Sequence, residues 1–157
     1  MIARLQSNRV RRTYLGGGRI NAFTGTVADC GDGVPRPEDW LASTVMAFNG
    51  TDEKAGEGLG RLGDGRLVRD VVGDLPFLVK LLDSDERLVI QAHPTVPCAK
   101  RHLNLSPPAC VVVTEGVGEV NGVAVKKGDR LLIADERFLE TNGPVKIVIC
   151  VHDIMYT

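Results

Sequence analysis

From position 76 onward the chain is a succession of short apolar runs rich in β-branched residues, each closed by turn-forming residues, and this limits what it can fold into. The runs fall at 77–82, 88–93, 110–114, 118–120, 123–125, 130–134 and 145–151. They have strand length rather than helix length. Between them sit Asp83-Ser84-Asp85, Asn121-Gly122, Lys127-Gly128-Asp129 and Asn142-Gly143-Pro144. Asn-Gly between β-branched segments is a hairpin signal, because both residues tolerate the left-handed backbone that a tight turn requires. The spacing predicts a mostly β protein, an antiparallel β-sandwich or barrel with one or two short helices. The uninterrupted run Ile147-Val148-Ile149-Cys150-Val151 predicts a last strand buried on both faces.

The first half is less regular. Residues 21–38 read as loop, 40–48 as a possible strand, 50–65 as a Gly/Asp/Glu-rich loop and 66–72 as a short helix. A length of 157 residues suits one domain. An apolar fraction of 43% and a charged fraction of 25% are those of an ordinary globular chain. The net charge of −1 gives no field that would draw nucleic acid or an anionic membrane. No apolar run approaches the roughly 18 residues needed to span a bilayer, and no signal-peptide core is visible.

Charge is uneven along the chain. Residues 1–19 hold five arginines and no acid, whereas residues 29–75 hold ten acids against five basic residues. The Arg-rich start has transit-peptide composition, but Thr13-Tyr14-Leu15-Gly16-Gly17-Gly18 reads as a strand and turn. That glycine run lacks the Lys-Ser/Thr and the spacing of a phosphate loop. The cysteines at 30, 98, 110 and 150 form no CxxC pair. Without an export signal, a cytoplasmic location with reduced thiols is expected, Cys110 and Cys150 being small core residues.

Three side chains stand out for chemistry. Strand alternation over residues 88–93 puts Gln91 and His93 on one face, where both can reach one small ligand or metal ion. The bland alternative is a Gln and a His at a half-exposed strand end, bonded to backbone. Lys80 is the one charge in the apolar run at 77–82. It either faces solvent or enters a polar cavity, where a lysine can carry a proton or hold a phosphate. His102 and His152 are isolated.

Four ordered segments resemble the class I mannose-6-phosphate isomerases, which are cupins. They are Arg12-Thr13-Tyr14-Leu15-Gly16-Gly17, then Glu38-Asp39-Trp40-Leu41-Ala42-Ser43, then Leu75-Pro76-Phe77-Leu78-Val79-Lys80-Leu81-Leu82-Asp83, and last Gln91-Ala92-His93-Pro94. The resemblance implies a jelly-roll barrel over residues 1–157 as a single cupin-like domain. Residues 1–104 resemble the start of the catalytic domain, and 110–157 the metal-free C-terminal half.

It also implies zinc-dependent aldose–ketose isomerisation of a phosphorylated sugar, with Gln91 and His93 as metal ligands. Lys80 would be the catalytic or phosphate-contacting residue, and Trp40 and Ser43 would be substrate-binding. The partners expected are a small-molecule sugar phosphate and a second copy in a homodimer, with neither nucleic acid nor membrane. The family's third ligand, a Glu in a Gly-Lys-Thr-Glu-x-Trp segment, has no counterpart here, and neither has its fourth, a His. Glu115, Glu119 and His102 are the nearest alternative donors. The alternative reading is a non-catalytic cupin that binds a sugar or sugar phosphate, or a minimal or deleted form of the isomerase.

Overall fold

The computed structural model describes residues 1–26, 32–47, 56–88, 109–134 and 139–150. Within them, in chain order, run β1 (Ile2–Arg4), β2 (Arg9–Val10), α1 (Gly18–Thr24), β3 (Glu38–Leu41), α2 (Val68–Val72) and β4 (Val79–Leu82). Then follow β5 (Ala109–Val120), β6 (Val123–Lys126), β7 (Arg130–Ile133), β8 (Thr141–Asn142) and β9 (Val145–Cys150). The protein is mostly β, with two antiparallel sheets and two helices. A six-stranded sheet runs β1-β7-β5-β6, with β8 and β9 also paired to β5, and a three-stranded sheet runs β2-β3-β4. Among the described residues the strands do not close into a barrel.

The long strand β5 organises the larger sheet. Its first half lies between β7 and β9, so successive residues enter different cores. Cys110 and Val112 join Leu132 of β7 and Leu41 of β3 in one cluster, against which Val79 and Leu81 of β4 also pack. That cluster is the seam between the two sheets. Val111 and Val113 point the other way, with Leu131, Ile133 and Val125. Period-two alternation thus feeds two apolar layers from one strand.

Several sequence expectations change. The separate strands at 110–114 and 118–120 are one strand, with a bulge between Val113 and Glu115. Just past it, Gly116 has φ +83 and lies so close to Pro144 that a Cβ would sit 1.7 Å from the carbonyl oxygen. The strand expected at 40–48 starts earlier and ends at Leu41, because Ala42 turns the chain with φ 51. The loop expected at 21–38 holds most of α1, which begins at Gly18. Strand β9 is not buried on both faces: Val148 is 50% and Ile149 46% exposed. Its pairing is with β5 alone, so one edge lacks a strand neighbour among the described residues. The strand expected at 88–93 lies outside the described residues beyond Leu88.

The arginines of the first segment are built into the fold. Arg4 pairs with Asp129, Arg11 with Glu57, Arg12 with Glu38 and Arg19 with Asp83. No helix among the described residues is long and apolar enough to cross a membrane.

Candidate functional site

Strands β3 and β4 carry two of the segments singled out by sequence. They pair antiparallel with Trp40 directly opposite Lys80 and Glu38 opposite Leu82. Residues two apart on a strand share a face, as do directly opposed residues on neighbouring strands. Glu38, Trp40 and Lys80 are therefore brought to one side of the small sheet.

The carboxylate of Glu38 is the centre of this group. One oxygen, Oε1, accepts from Tyr14 Oη at 2.5 Å and faces Arg12 Nε at 3.1 Å. The other, Oε2, accepts from Trp40 Nε1 at 2.6 Å and faces Lys80 Nζ at 3.2 Å. The Trp40 ring in turn carries the Arg12 guanidinium 4.9 Å and the Lys80 ammonium 4.7 Å from its centroid. Both distances suit cation–π attraction. Burial pushes the Glu38 carboxyl upward, but the bonds from Tyr14, Trp40 and Arg12 outweigh it and hold the group down at about 2. Burial and the bond to Glu38 push the Tyr14 phenol well above its ordinary value.

The arrangement has a buried pole and an accessible one. Glu38 and Trp40 are buried, whereas the Lys80 side chain is 34% exposed. A carboxylate facing four donors is a poor proton acceptor and a poor metal ligand, because its lone pairs are already engaged. Its chemical contribution is to hold Lys80 and Arg12 in place. An ammonium held this way can meet an anionic ligand at the surface.

The sequence candidates fare differently. Lys80 and Trp40 are brought together. Trp40 is too buried to offer an open face, and acts by fixing the two cations. Ser43 is buried, and its hydroxyl is used in a local turn, donating to Val45 O at 3.0 Å and accepting from Val45 N at 3.3 Å. No hydrogen bond or ion pair among the described residues joins Ser43 to Glu38, Trp40 or Lys80. Gln91, His93 and His102 lie outside the described residues. No group of three or more His, Cys, Asp or Glu among the described residues fits a metal ion. Of the alternative donors, Glu115 pairs with Lys146 at 2.7 Å. The described residues therefore do not by themselves make a zinc site, for which three protein ligands are usual.

Sequence reasoning assigned no role to Glu38, Arg12 or Tyr14. The Glu-x-Trp spacing was the available signal, since it puts an acceptor beside an indole N–H on one strand face. It also passed over Asp83 at the end of β4. This buried carboxylate accepts from Gly17 N at 3.0 Å, Arg19 N at 2.7 Å and Arg19 Nη1 at 3.0 Å. It thereby ties the glycine turn and the start of α1 to the small sheet. No protein-family model, no curated protein and no solved structure matches this chain.

Proposed function

We propose that this chain is a cupin of the mannose-6-phosphate isomerase type whose site takes a phosphorylated sugar. The observation that carries the reading is the register of β3 and β4, which sets Lys80 opposite Trp40 and within 3.2 Å of Glu38. Two segments whose resemblance to the family is independent in sequence thus meet in one cluster. In this reading Lys80 supplies a charged donor to the phosphate, and Trp40 and Glu38 hold that donor in position. Two antiparallel sheets packed on a shared apolar layer are consistent with the jelly roll that the resemblance implies.

Aldose–ketose isomerisation is the reaction the family resemblance implies, and it needs a base within hydrogen-bond reach of the sugar carbon. Glu38 does not qualify, since its oxygens face four donors. The sequence also carries two of the family's four metal ligands, Gln91 and His93. These two observations favour binding of the sugar phosphate without turnover by the isolated chain.

The test is calorimetric titration of mannose 6-phosphate into the wild-type protein and Lys80→Ala, beside a coupled isomerase assay with excess zinc. Binding to wild type that is lost in Lys80→Ala supports the site. Equal binding by both proteins, or none by wild type, overturns it. Zinc-dependent turnover that vanishes in His93→Ala would replace the binding-only reading with the enzyme.

A further inference from the structure

Cys110 and Cys150 lie on adjacent strands and are direct Cα partners in the antiparallel pairing of β5 with β9. Both are free thiols. Both also belong to the same apolar layer, Cys110 within it and Cys150 packed against it, so their side chains leave the sheet on one side. Directly opposed residues of an antiparallel pair have Cβ atoms about 4.5–5.5 Å apart. A disulfide needs about 3.5–4.5 Å between those atoms, and its usual Cα separation covers both kinds of antiparallel rung. Closure asks the two strands to approach by an ångström or so. The rung concerned is the last described one of β9 and is next to the first residue of β5.

We propose that Cys110 and Cys150 are a reversible cross-strand redox pair, oxidised by exchange with a low-molecular-weight disulfide. The order of events follows from exposure. Cys110 is fully buried and cannot meet an external disulfide, whereas Cys150 is partly exposed. The Cys150 thiolate attacks one sulfur of the small disulfide and expels the first small thiolate, which takes up the proton lost by Cys150. The Cys110 thiolate then attacks the Cys150 sulfur of this mixed disulfide and expels the second small thiolate, which takes up the proton lost by Cys110. Two protein thiols and one small disulfide thus become one protein disulfide and two small thiols. The protein is oxidised by two electrons and the reagent is reduced by two. Burial pushes the Cys110 thiol up to about 12, so the closing step gains speed as pH rises above neutral.

The consequence is local to the sheet. Strand β9 pairs only with β5 among the described residues, over a ladder that runs from Cys110↔Cys150 to Gly116↔Val145 and is interrupted by the bulge. A covalent link at the Cys110 rung clasps the ladder at the end remote from the β8–β9 turn. It also closes a long loop in the unfolded chain, which stabilises the oxidised form.

The experiment treats the native 157-residue chain with oxidised glutathione at mildly alkaline pH, followed by proteolysis and mass spectrometry. The expected result is a Cys110–Cys150 linked peptide two hydrogens lighter than the separate peptides, reversed by dithiothreitol. The same link is expected when Cys30 and Cys98 are both replaced by Ser. In Cys110→Ser, Cys150 should instead retain one glutathione, and in Cys150→Ser, Cys110 should stay unmodified. The denaturation midpoint should rise on oxidation and return on reduction. Glutathione held stably on Cys150 of the wild-type protein, a link from either residue to Cys30 or Cys98, or no reaction would each overturn the proposal.

Discussion

Asp39 of β3 and Arg130 of β7 join the two sheets through a buried ion pair, with Nη1 of the arginine 2.5 Å from Oδ2 of the aspartate. Both side chains point into the layer that also holds Leu41 and Leu132, two positions further along the same strands. Asp39 has no exposed surface and also accepts from Asn8 N at 2.8 Å and Ser7 Oγ at 3.2 Å. Arg130 is less well served, because its buried Nε has no acceptor among the described residues. Nearby, burial lowers the Arg9 guanidinium below its ordinary value, partly offset by Asp39 and Asp83.

Removing one partner leaves the other charge buried, so Asp39→Ala should cost about 3–5 kcal/mol of stability. Replacing the pair together, Asp39→Leu with Arg130→Met, should recover a substantial part of that loss. Urea unfolding followed by circular dichroism measures both. A double variant less stable than Asp39→Ala would show that the pair stabilises the fold beyond satisfying its own charges.

The Glu38 cluster makes stability depend on acid pH. Its carboxyl sits near 2 in the folded protein against an ordinary 4.5. A group with a depressed folded value contributes stability that is complete above its unfolded value. That contribution is lost as pH falls through the folded value. The window therefore runs from about 4.5 down to about 2. Across it the wild-type protein should lose on the order of 3 kcal/mol from this group. Glu38→Gln should be less stable at pH 7 and should show a correspondingly shallower acid dependence. Parallel slopes for the two proteins below 4.5 would contradict the assignment.

Gly16 and Gly65 both adopt positive φ but differ in surroundings. A Cβ on Gly16 would lie 2.0 Å from the backbone oxygen of Asp83, whereas one on Gly65 would meet open space. Gly65→Ala should cost about 1 kcal/mol from backbone strain alone. Gly16→Ala should cost at least about 2 kcal/mol more, because the turn and Asp83 must move apart. Thermal denaturation of the two variants in parallel checks the order.

Lys80→Ala should leave the protein folded. The Lys80–Glu38 pair is a third exposed on the lysine side, so its loss should change stability by no more than about 1 kcal/mol. Near-ultraviolet circular dichroism should show Trp40 in an asymmetric setting in both proteins. A collapse of that signal would mean that Lys80 positions the indole as well as meeting solvent.

The β architecture was legible because its signals are local. Short runs between Asn121-Gly122, Lys127-Gly128-Asp129 and Asn142-Gly143 turns dictate strands and hairpins whatever they later pack against. The antiparallel β6, β7 and β9 accordingly fall close to where their sequences put them, as does α2. The Gln91–His93 pair was legible only as an alternation, and both residues lie outside the described residues.

Partners distant in the chain were decided by tertiary structure. Helix α1 has only seven residues, too few for the Ile20 and Phe23 spacing to mark a helix by itself, and it starts where the Asp83 carboxylate gathers the amides of Gly17 and Arg19. Val148 and Ile149 are exposed on a strand that pairs only with β5 among the described residues, a packing that hydrophobicity alone does not encode. Glu38 and Asp39 are consecutive acids with the same side-chain chemistry. The pleat sends one to Lys80 and Arg12 and the other to Arg130, 91 positions away. The adjacency of the two acids means that any strand holding both must point them to opposite faces, because alternation is a property of the backbone, although the sequence put Glu38 in a loop and began the strand only at 40. Which cations would neutralise them was decided only when the two sheets packed, because buried charges require partners and those partners come from other strands.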